Sequence, residues 1–195
     1  ERCGLADADF TGALLDRTIA WDCGLTAALF RRSAISETAF RGCRLGGADW
    51  DSAELSATSF AGSDLGKATG LNAGPGLDFS SCILEGVDFS GRDLSGVSFA
   101  GARLSTARFA GSKLVRARLT GADLRRADLT EADLSWADLE RADLEEARLT
   151  KARLAHARLA RAIVTVDRLL ECDLRGVTLS GSNFTGIDFR GRDLS

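Results

Sequence analysis

The chain has 195 residues, with 25 basic and 28 acidic side chains and a formal net charge of −3. This length is enough for one sizeable domain. The basic residues form no clustered groove with interleaved aromatic residues, so direct binding of nucleic acid is not expected. No apolar run approaches the length that crosses a membrane and there is no signal-peptide pattern, so a membrane partner is not expected either.

Large apolar residues recur at every fifth position along most of the chain. The series begins at Leu5 and Phe10, continues to Leu65, and resumes at Phe79 in a shifted phase. A second series of small residues lies two positions earlier in each unit, and residues 122–126 (ADLRR) are a complete copy. Self-similarity of this regularity predicts a repeat architecture.

A five-residue period fits neither a regular helix nor a flat strand. Each step of five residues drifts by about 140° around an α-helix, so the apolar residues would form no stripe. In a strand, an odd period would place them alternately on opposite faces. The pattern is explained if each unit forms one side of a closed coil and both its small and its large residue point toward the axis.

The unit Ala-Asp-Leu-x-x resembles the consensus of the pentapeptide-repeat family over nearly the whole chain. The resemblance implies an all-β fold, a right-handed quadrilateral parallel β-helix in which residues twenty apart stack directly. At roughly 4.8 Å per coil, about nine coils would form a rod on the order of 45 Å long. We therefore expect a single domain over residues 1–195, with a first repeat block at 1–65 and a second at 79–195.

The ends of the chain allow two interpretations. The sequence begins at Glu1 without an initiator methionine and stops at Ser195 inside a unit, although repeat proteins usually need caps. Either the open last coil pairs end to end with a second copy, as in similar family members, or the chain is a piece of a longer protein.

All cysteines fall in the inward series of small residues. We interpret them as core residues, because metal ligands would cluster near histidine and the only one is His156. No metal, cofactor or disulfide is predicted. A cytoplasmic location is favoured, and the alternative is part of a secreted effector. The first three should form one buried column, since they are twenty apart. The cysteines are Cys3, Cys23, Cys43, Cys82 and Cys172.

The repeat is interrupted between Leu65 and Phe79, which lie fourteen residues apart, four more than two units require. The segment 66–78 holds the only proline and four glycines, which is typical of a loop. We predict a loop insertion that projects from a coil corner. It is either a tolerated insertion or a partner-binding loop, and loop interruptions are also found in the Qnr-type quinolone-resistance proteins that the chain resembles. Its candidate contact residues are Lys67, Leu71, Asn72 and Pro75.

Two further departures affect inward positions. Near 163–172, Asp167 takes an inward site and Ile163 an outward one, so we expect a distorted coil there. Arg92 and Arg192 take sites of the small inward series. An arginine cannot lie unpaired in such a core, so we expect its head to reach outward to a carboxylate.

Charged residues just before each large apolar residue alternate in sign between positions twenty apart. We interpret this as an ion-pair ladder that fixes the register between coils, although an exposed pair contributes only about 0–1 kcal/mol. The columns of this charge ladder are Arg108, Asp128 and Arg148; Lys113, Asp133 and Arg153; and Arg118, Asp138 and Arg158.

Two tryptophans occupy outward positions, whereas most aromatic residues point inward. Stacking at twenty residues would place Trp136 between Arg116 and His156, and Trp21 beside Arg41. Each group is either a self-contained cation–π stack or a patch that binds a protein partner, because tryptophan and arginine dominate such patches.

An enzyme is the least expected class, because a filled solenoid offers flat faces instead of a pocket with converging polar groups. We favour a non-enzymatic protein-binding or scaffold module for an unidentified protein partner, alone or within a larger bacterial protein. The alternative implied by the resemblance is a DNA mimic that binds DNA gyrase or topoisomerase and confers quinolone-type antibiotic resistance. Alternating charge disfavours it, since a DNA mimic needs columns of carboxylates.

Overall fold

The computed structural model describes residues 2–72, 74, 76–164, 169, 172–182, 190 and 193–195. The chain winds as a stack of parallel coils with four walls, and residues twenty apart pair through parallel bridges, for example Gly4 with Gly24 and Asp9 with Leu29. We call the walls A, B, C and D, after the columns that begin at Gly4, Asp9, Leu14 and Ile19.

The strands are short because each coil side consists of only a few extended residues before the next corner. All described strand pairs are parallel, in the orders β1-β3-β5, β2-β4 and β6-β7. Single bridges continue the same registers elsewhere. The strands are β1 (Leu14–Asp16), β2 (Ile19–Trp21), β3 (Ala34–Ser36), β4 (Ala39–Arg41), β5 (Glu54–Ser56), β6 (Asp143–Leu144) and β7 (Ile163–Val164).

The large and small inward residues fill the interior of the coils, as the repeat predicts. Aromatic rings stack between successive coils, with centroids 4.1 Å apart for Phe30 and Trp50 and 5.2 Å apart for Phe60 and Phe79. Farther along the chain Leu129 and Ala127 are fully buried. Stacking buries apolar area continuously between neighbouring coils, which is the main source of stability in a solenoid.

The corners explain why aspartate precedes the large apolar residue so often. In the regular described units the last residue has a left-handed backbone, with φ of 58° at Arg116 and at Arg126. That conformation costs roughly 1–2 kcal/mol for a residue with a Cβ. An aspartate on the wall offsets part of this cost by accepting a hydrogen bond from the backbone amide two residues on, as Asp133 does from Ser135 at 3.1 Å.

The structure corrects the predicted loop at 66–78. Thr69 still pairs with Asp49, and Leu71 is only 2% exposed, so the described part of this segment follows the coil instead of projecting from it. The pairing interval changes from twenty to nineteen residues at Ser59–Asp78. The fourteen residues are therefore three coil sides with one residue missing, and not two sides with four added.

Among the described residues, the shortened coil interrupts wall B and leaves walls A and D intact. Among the described residues, wall A has nine rungs joined without a break from Gly4 to Ile163, and wall D has nine from Ile19 to Thr178. Wall B has no bridge between Thr69 and the next rung, Asp88. The two repeat blocks thus form one continuous stack that is held together across the short coil by walls A and D.

Two side chains, Cys3 and Arg92, differ from what the repeat predicts. Cys3 is exposed and was wrongly placed in a buried column, because no described coil covers it; Cys23 and Cys43 are buried. The Arg92 head reaches outward, as expected, but donates to the side-chain oxygen of Asn72 instead of a carboxylate. Asp167, Arg192 and Pro75 lie outside the described residues.

The cysteines give a direct test of burial. The Cys82 thiol donates to the Phe60 carbonyl at 2.9 Å, and burial raises its pKa to about 12. Because the thiolate is the reactive form, we expect iodoacetamide to modify Cys3 in the folded protein, and Cys82 only after unfolding in urea. Peptide mass spectrometry measures this. Equal modification of both thiols in the native protein would contradict the burial of Cys82.

Candidate interaction surfaces

The predicted charge columns stack in the expected register on walls B, C and D. Arg108 bridges Asp128, and Asp128 bridges Arg148; the columns through Asp133 and Asp138 follow the same rule. Ion pairs form at some steps of these columns and not at others. On these walls each paired cation contacts the carboxylate of the preceding coil, as Arg153 does with Asp133 at 3.0 Å. The other such contacts join Arg158 to Asp138 at 3.3 Å, Arg108 to Asp88 at 2.7 Å and Lys113 to Asp93 at 3.8 Å.

The remaining steps of the charge ladder are not closed by ion pairs. Within the described part of the chain, Asp128 has no cation within 4.0 Å, and neither Lys113–Asp133 nor Arg118–Asp138 is in contact. Arg108 and Lys113 lean toward Asp88 and Asp93 on the coil before them, so they do not reach Asp128 and Asp133 on the coil after them. The role of the columns in fixing register stays a prediction.

Wall A shows how like charges are accommodated. Asp123 and Asp143 are bridge partners, and Arg125 lies between them, 2.7 Å from Asp123 and 3.8 Å from Asp143. The hydrogen bonds that the Arg125 guanidinium donates lower the pKa of the Asp123 carboxyl. Farther down wall A, Ile83 and Arg103 interrupt the acidic residues. The described part of this wall therefore carries no unbroken carboxylate column.

Trp136 lies exposed at a corner, with 56% of its surface accessible. Its ring stacks on His156 at a centroid distance of 4.2 Å. Gly176 leaves room for that imidazole, since a Cβ there would lie 2.3 Å from His156 Nδ1. Arg116 occupies the same corner one coil earlier, and the described residues show no stacking of its head on the indole. The structure thus joins Trp136 to His156 only.

Trp21 belongs to a larger exposed group than the sequence analysis identified. It pairs in register with Arg41 and is 55% exposed. Ile19, on the same outward face of β2, is 71% exposed, and Leu14 on the neighbouring wall is 76% exposed. We call Leu14, Ile19 and Trp21 the N-terminal apolar patch. The sequence could have indicated this patch, because Leu14 and Ile19 are large apolar residues at the position of the repeat that elsewhere holds a charged residue.

The candidate contact residues of the segment 66–78 differ in how exposed they are. Leu71 is buried and cannot contact a partner, and Asn72 is partly buried beside Arg92. Lys67 is exposed at a corner with φ of 61°. The described residues contain no cluster of metal-ligating side chains and no helix long and apolar enough to span a bilayer.

The comparisons with known proteins agree with this architecture. The sequence model for pentapeptide repeats, matched in eight copies, covers residues 8–47, 35–69, 76–109, 102–141, 127–165 and 168–195. The chain belongs to the pentapeptide-repeat family. This confirms the predicted resemblance, and the four parallel walls of this pentapeptide-repeat protein fit a right-handed β-helix. Members of the family are typically non-enzymatic structural or binding modules.

Three solved structures illustrate the relation. HetL is a pentapeptide-repeat protein involved in heterocyst differentiation regulation in the cyanobacterium Nostoc sp. strain PCC 7120. It is 30% identical to this chain, the match covers 95% of this chain and 74% of HetL, and the TM-score is 0.44. Trypsin-treated QnrB1, a plasmid-mediated fluoroquinolone resistance protein, is 18% identical, with 100% and 90% coverage and a TM-score of 0.47. A pentapeptide-repeat protein of the Arabidopsis thaliana thylakoid lumen is 39% identical, with 57% and 68% coverage and a TM-score of 0.25. No curated protein matches the chain.

Proposed function

We propose that this pentapeptide-repeat protein is a non-enzymatic scaffold that binds a protein partner through the N-terminal apolar patch. The observation that carries the proposal is the exposure of Leu14, Ile19 and Trp21 on two successive sides of the coil. Large apolar side chains that cluster on a protein surface mark interaction sites, and tryptophan is prominent among residues that dominate binding energy.

The scaffold suits this role because its backbone is already ordered. β1 and β2 are fixed by parallel pairing to β3 and β4, so little conformational entropy remains to be lost when a partner binds. The corner between Leu14 and Ile19 carries the Arg17–Glu37 ion pair at 3.2 Å, which places polar groups beside the apolar side chains. This combination favours a partner whose complementary surface is apolar and follows the corner between walls C and D.

Trp136 with His156 is a second contact candidate on the C-terminal half of the rod. The stacked rings present an aromatic face at a corner, beside the Arg116 position of the preceding coil. An end-to-end homodimer through the last coil stays a prediction, because much of that coil lies outside the described residues.

The topoisomerase alternative has less support from this surface. Walls B, C and D alternate between aspartate and arginine or lysine in the C-terminal coils, so neighbouring charges cancel at the spacing at which a DNA mimic would need repeated negative charge. A supercoiling assay with purified DNA gyrase, with and without a quinolone, separates the hypotheses. Inhibition or protection at sub-micromolar protein would favour the alternative.

Replacing the N-terminal apolar patch tests the favoured proposal. We expect the triple variant Leu14→Ser, Ile19→Ser and Trp21→Ser to lose about tenfold or more affinity for a partner that the unchanged protein retains, since hot-spot truncations cost ~2 kcal/mol or more. Immobilised protein is incubated with an extract of the organism that encodes the chain, bound proteins are quantified by mass spectrometry, and the affinity of the purified partner is then measured.

Arg118→Ala is the matched control, because Arg118 is exposed on wall D like Ile19 but lies outside the patch. It should leave partner capture unchanged. If the triple variant, still folded by circular dichroism, retains every protein that the unchanged chain retains, the patch is not the binding surface.

A further inference from the structure

The break in wall B leaves a surface cleft of about 530 Å³ between two coils. Its floor is formed by Thr69 and Gly70 of the short coil and its roof by Asp88 of the following one. At a regular rung of this wall, the Asp128 amide donates to Ala107 at 2.9 Å and the Asp128 carbonyl accepts from Phe109 at 2.7 Å. Between Thr69 and Asp88 the corresponding bonds are missing among the described residues.

The orientation of the unpaired groups follows from the planar trans peptide. The Thr69 amide donates to Ala48 and the Thr69 carbonyl accepts from Trp50, both on the preceding coil. The Ala68 carbonyl and the Gly70 N–H must therefore point the opposite way, toward the cleft. These two groups supply one acceptor and one donor from its floor.

The same reasoning applies to the roof. The Phe89 amide donates to Arg108, and the Val87 carbonyl accepts from Arg108, both on the following coil. The Asp88 carbonyl and the Asp88 N–H therefore point down into the cleft. Two backbone donors and two backbone acceptors thus face one another without bonding, at a place where a polar ligand can satisfy them.

The side chains around the cleft give it a positive charge. Lys67, Arg92 and Arg108 line it with one carboxylate, that of Asp88, and Arg108 is already paired with Asp88 at 2.7 Å. Arg92 donates to the neutral Asn72 amide, which does not cancel its charge. Lys67 has no ion pair among the described residues. Two cationic charges therefore remain in a chain whose net charge is −3.

We propose that this cleft, lined by Lys67, Gly70, Asp88 and Arg92, binds a protonated oxyanion, with hydrogenphosphate as the fitting chemistry. Bare oxygens of hydrogenphosphate accept from the two backbone N–H groups and the two cationic heads, and its hydroxyl donates to a backbone carbonyl. Sulfate has a similar size and charge but no hydroxyl at neutral pH, so it leaves both carbonyls without a donor. The site is therefore expected to discriminate between these two anions.

Calorimetric titration of the full chain with sodium phosphate or sodium sulfate at pH 7, at matched ionic strength, tests the proposal. We expect saturable binding of phosphate and affinity for sulfate that is lower by about tenfold. Lys67→Gln and Arg92→Gln should each lower the phosphate affinity by about tenfold. Lys151→Gln is the control, since Lys151 occupies the same left-handed corner position as Lys67, with φ of 57°, far from the cleft.

The thermal unfolding midpoint of each variant in chloride shows whether it is folded, and Lys67→Gln alone decides the question if Arg92→Gln is not. Phosphate binding that is lost in Lys67→Gln and kept in Lys151→Gln supports the site. Absence of saturable phosphate binding, equal affinity for sulfate and phosphate, or an equal loss in Lys151→Gln overturns it.

Discussion

Replacing Gly70 by alanine is expected to lower the free energy of unfolding by about 2–4 kcal/mol. Gly70 has φ of +70°, and a Cβ there would lie 2.5 Å from the Asp51 amide nitrogen and 2.8 Å from the Trp50 carbonyl carbon. Both neighbours are backbone atoms, so neither can rotate away as a flexible side chain would. Urea unfolding followed by circular dichroism measures the change.

Gly121→Ala is the matched control for this experiment. Gly121 has φ of +65°, but a Cβ there would meet nothing within 4 Å. The substitution therefore carries only the cost of the left-handed backbone, about 1–2 kcal/mol. The same conformation is adopted by Arg126 at the corner one unit later. Equal destabilisation by the two substitutions would show that the short coil does not press against the coil before it.

Phe89→Ala is expected to cost about 3–5 kcal/mol. Phe89 is fully buried, stacks on Phe109 at a centroid distance of 5.4 Å, and meets Phe99 edge-on at a centroid distance of 5.7 Å. The cavity would lie between coils whose backbones are tied by wall hydrogen bonds, so the neighbours cannot collapse into it. Thermal and urea unfolding should both report the loss.

Trp136→Ala provides the comparison at an exposed aromatic residue. Because Trp136 is more than half exposed and stacks on His156 alone, we expect a stability change within about 1 kcal/mol. Its effect should appear in partner capture if the corner is a second contact. A loss of stability as large as that of Phe89→Ala would show that the Trp136 indole stabilises the fold.

The residues that stabilise the fold differ from those that are candidates for binding a partner. Its stability resides in inward columns such as Phe89 and Leu129, which repeat without reference to any partner. Its candidate binding features are departures from the repeat: apolar residues at wall positions, namely Leu14 and Ile19, and a missing residue that opens wall B beside Gly70. In the regular coils, walls B, C and D carry charges of alternating sign that largely cancel.

Much of the fold could be predicted from the sequence, because the repeat is local. A five-residue period with a small and a large inward residue allows one closed coil, and this places Arg108 beside Asp128 without any knowledge of distant contacts. The inward direction of Phe89 and the outward direction of Trp136 follow from the same count.

The short coil could not be predicted, because counting alone does not distinguish four added residues from one missing residue. Only the pairing of Ser59 with Asp78 decides it, since that bridge shows which residues stack. The glycines of this segment look like loop residues in the sequence. In the structure Gly70 is required by close approach to the backbone of the coil before it.

The periodic spacing of the sequence by itself determined the coil, its inward residues and the order of charges along each wall. The tertiary structure alone decided which charges touch, which large apolar residues on neighbouring walls stay exposed, and where the backbone is left unpaired. The physical reason is the precision that each feature needs. The period determines which way a side chain points and which coil side it lies on, whereas an ion pair or a hydrogen bond is made or lost within about 1 Å.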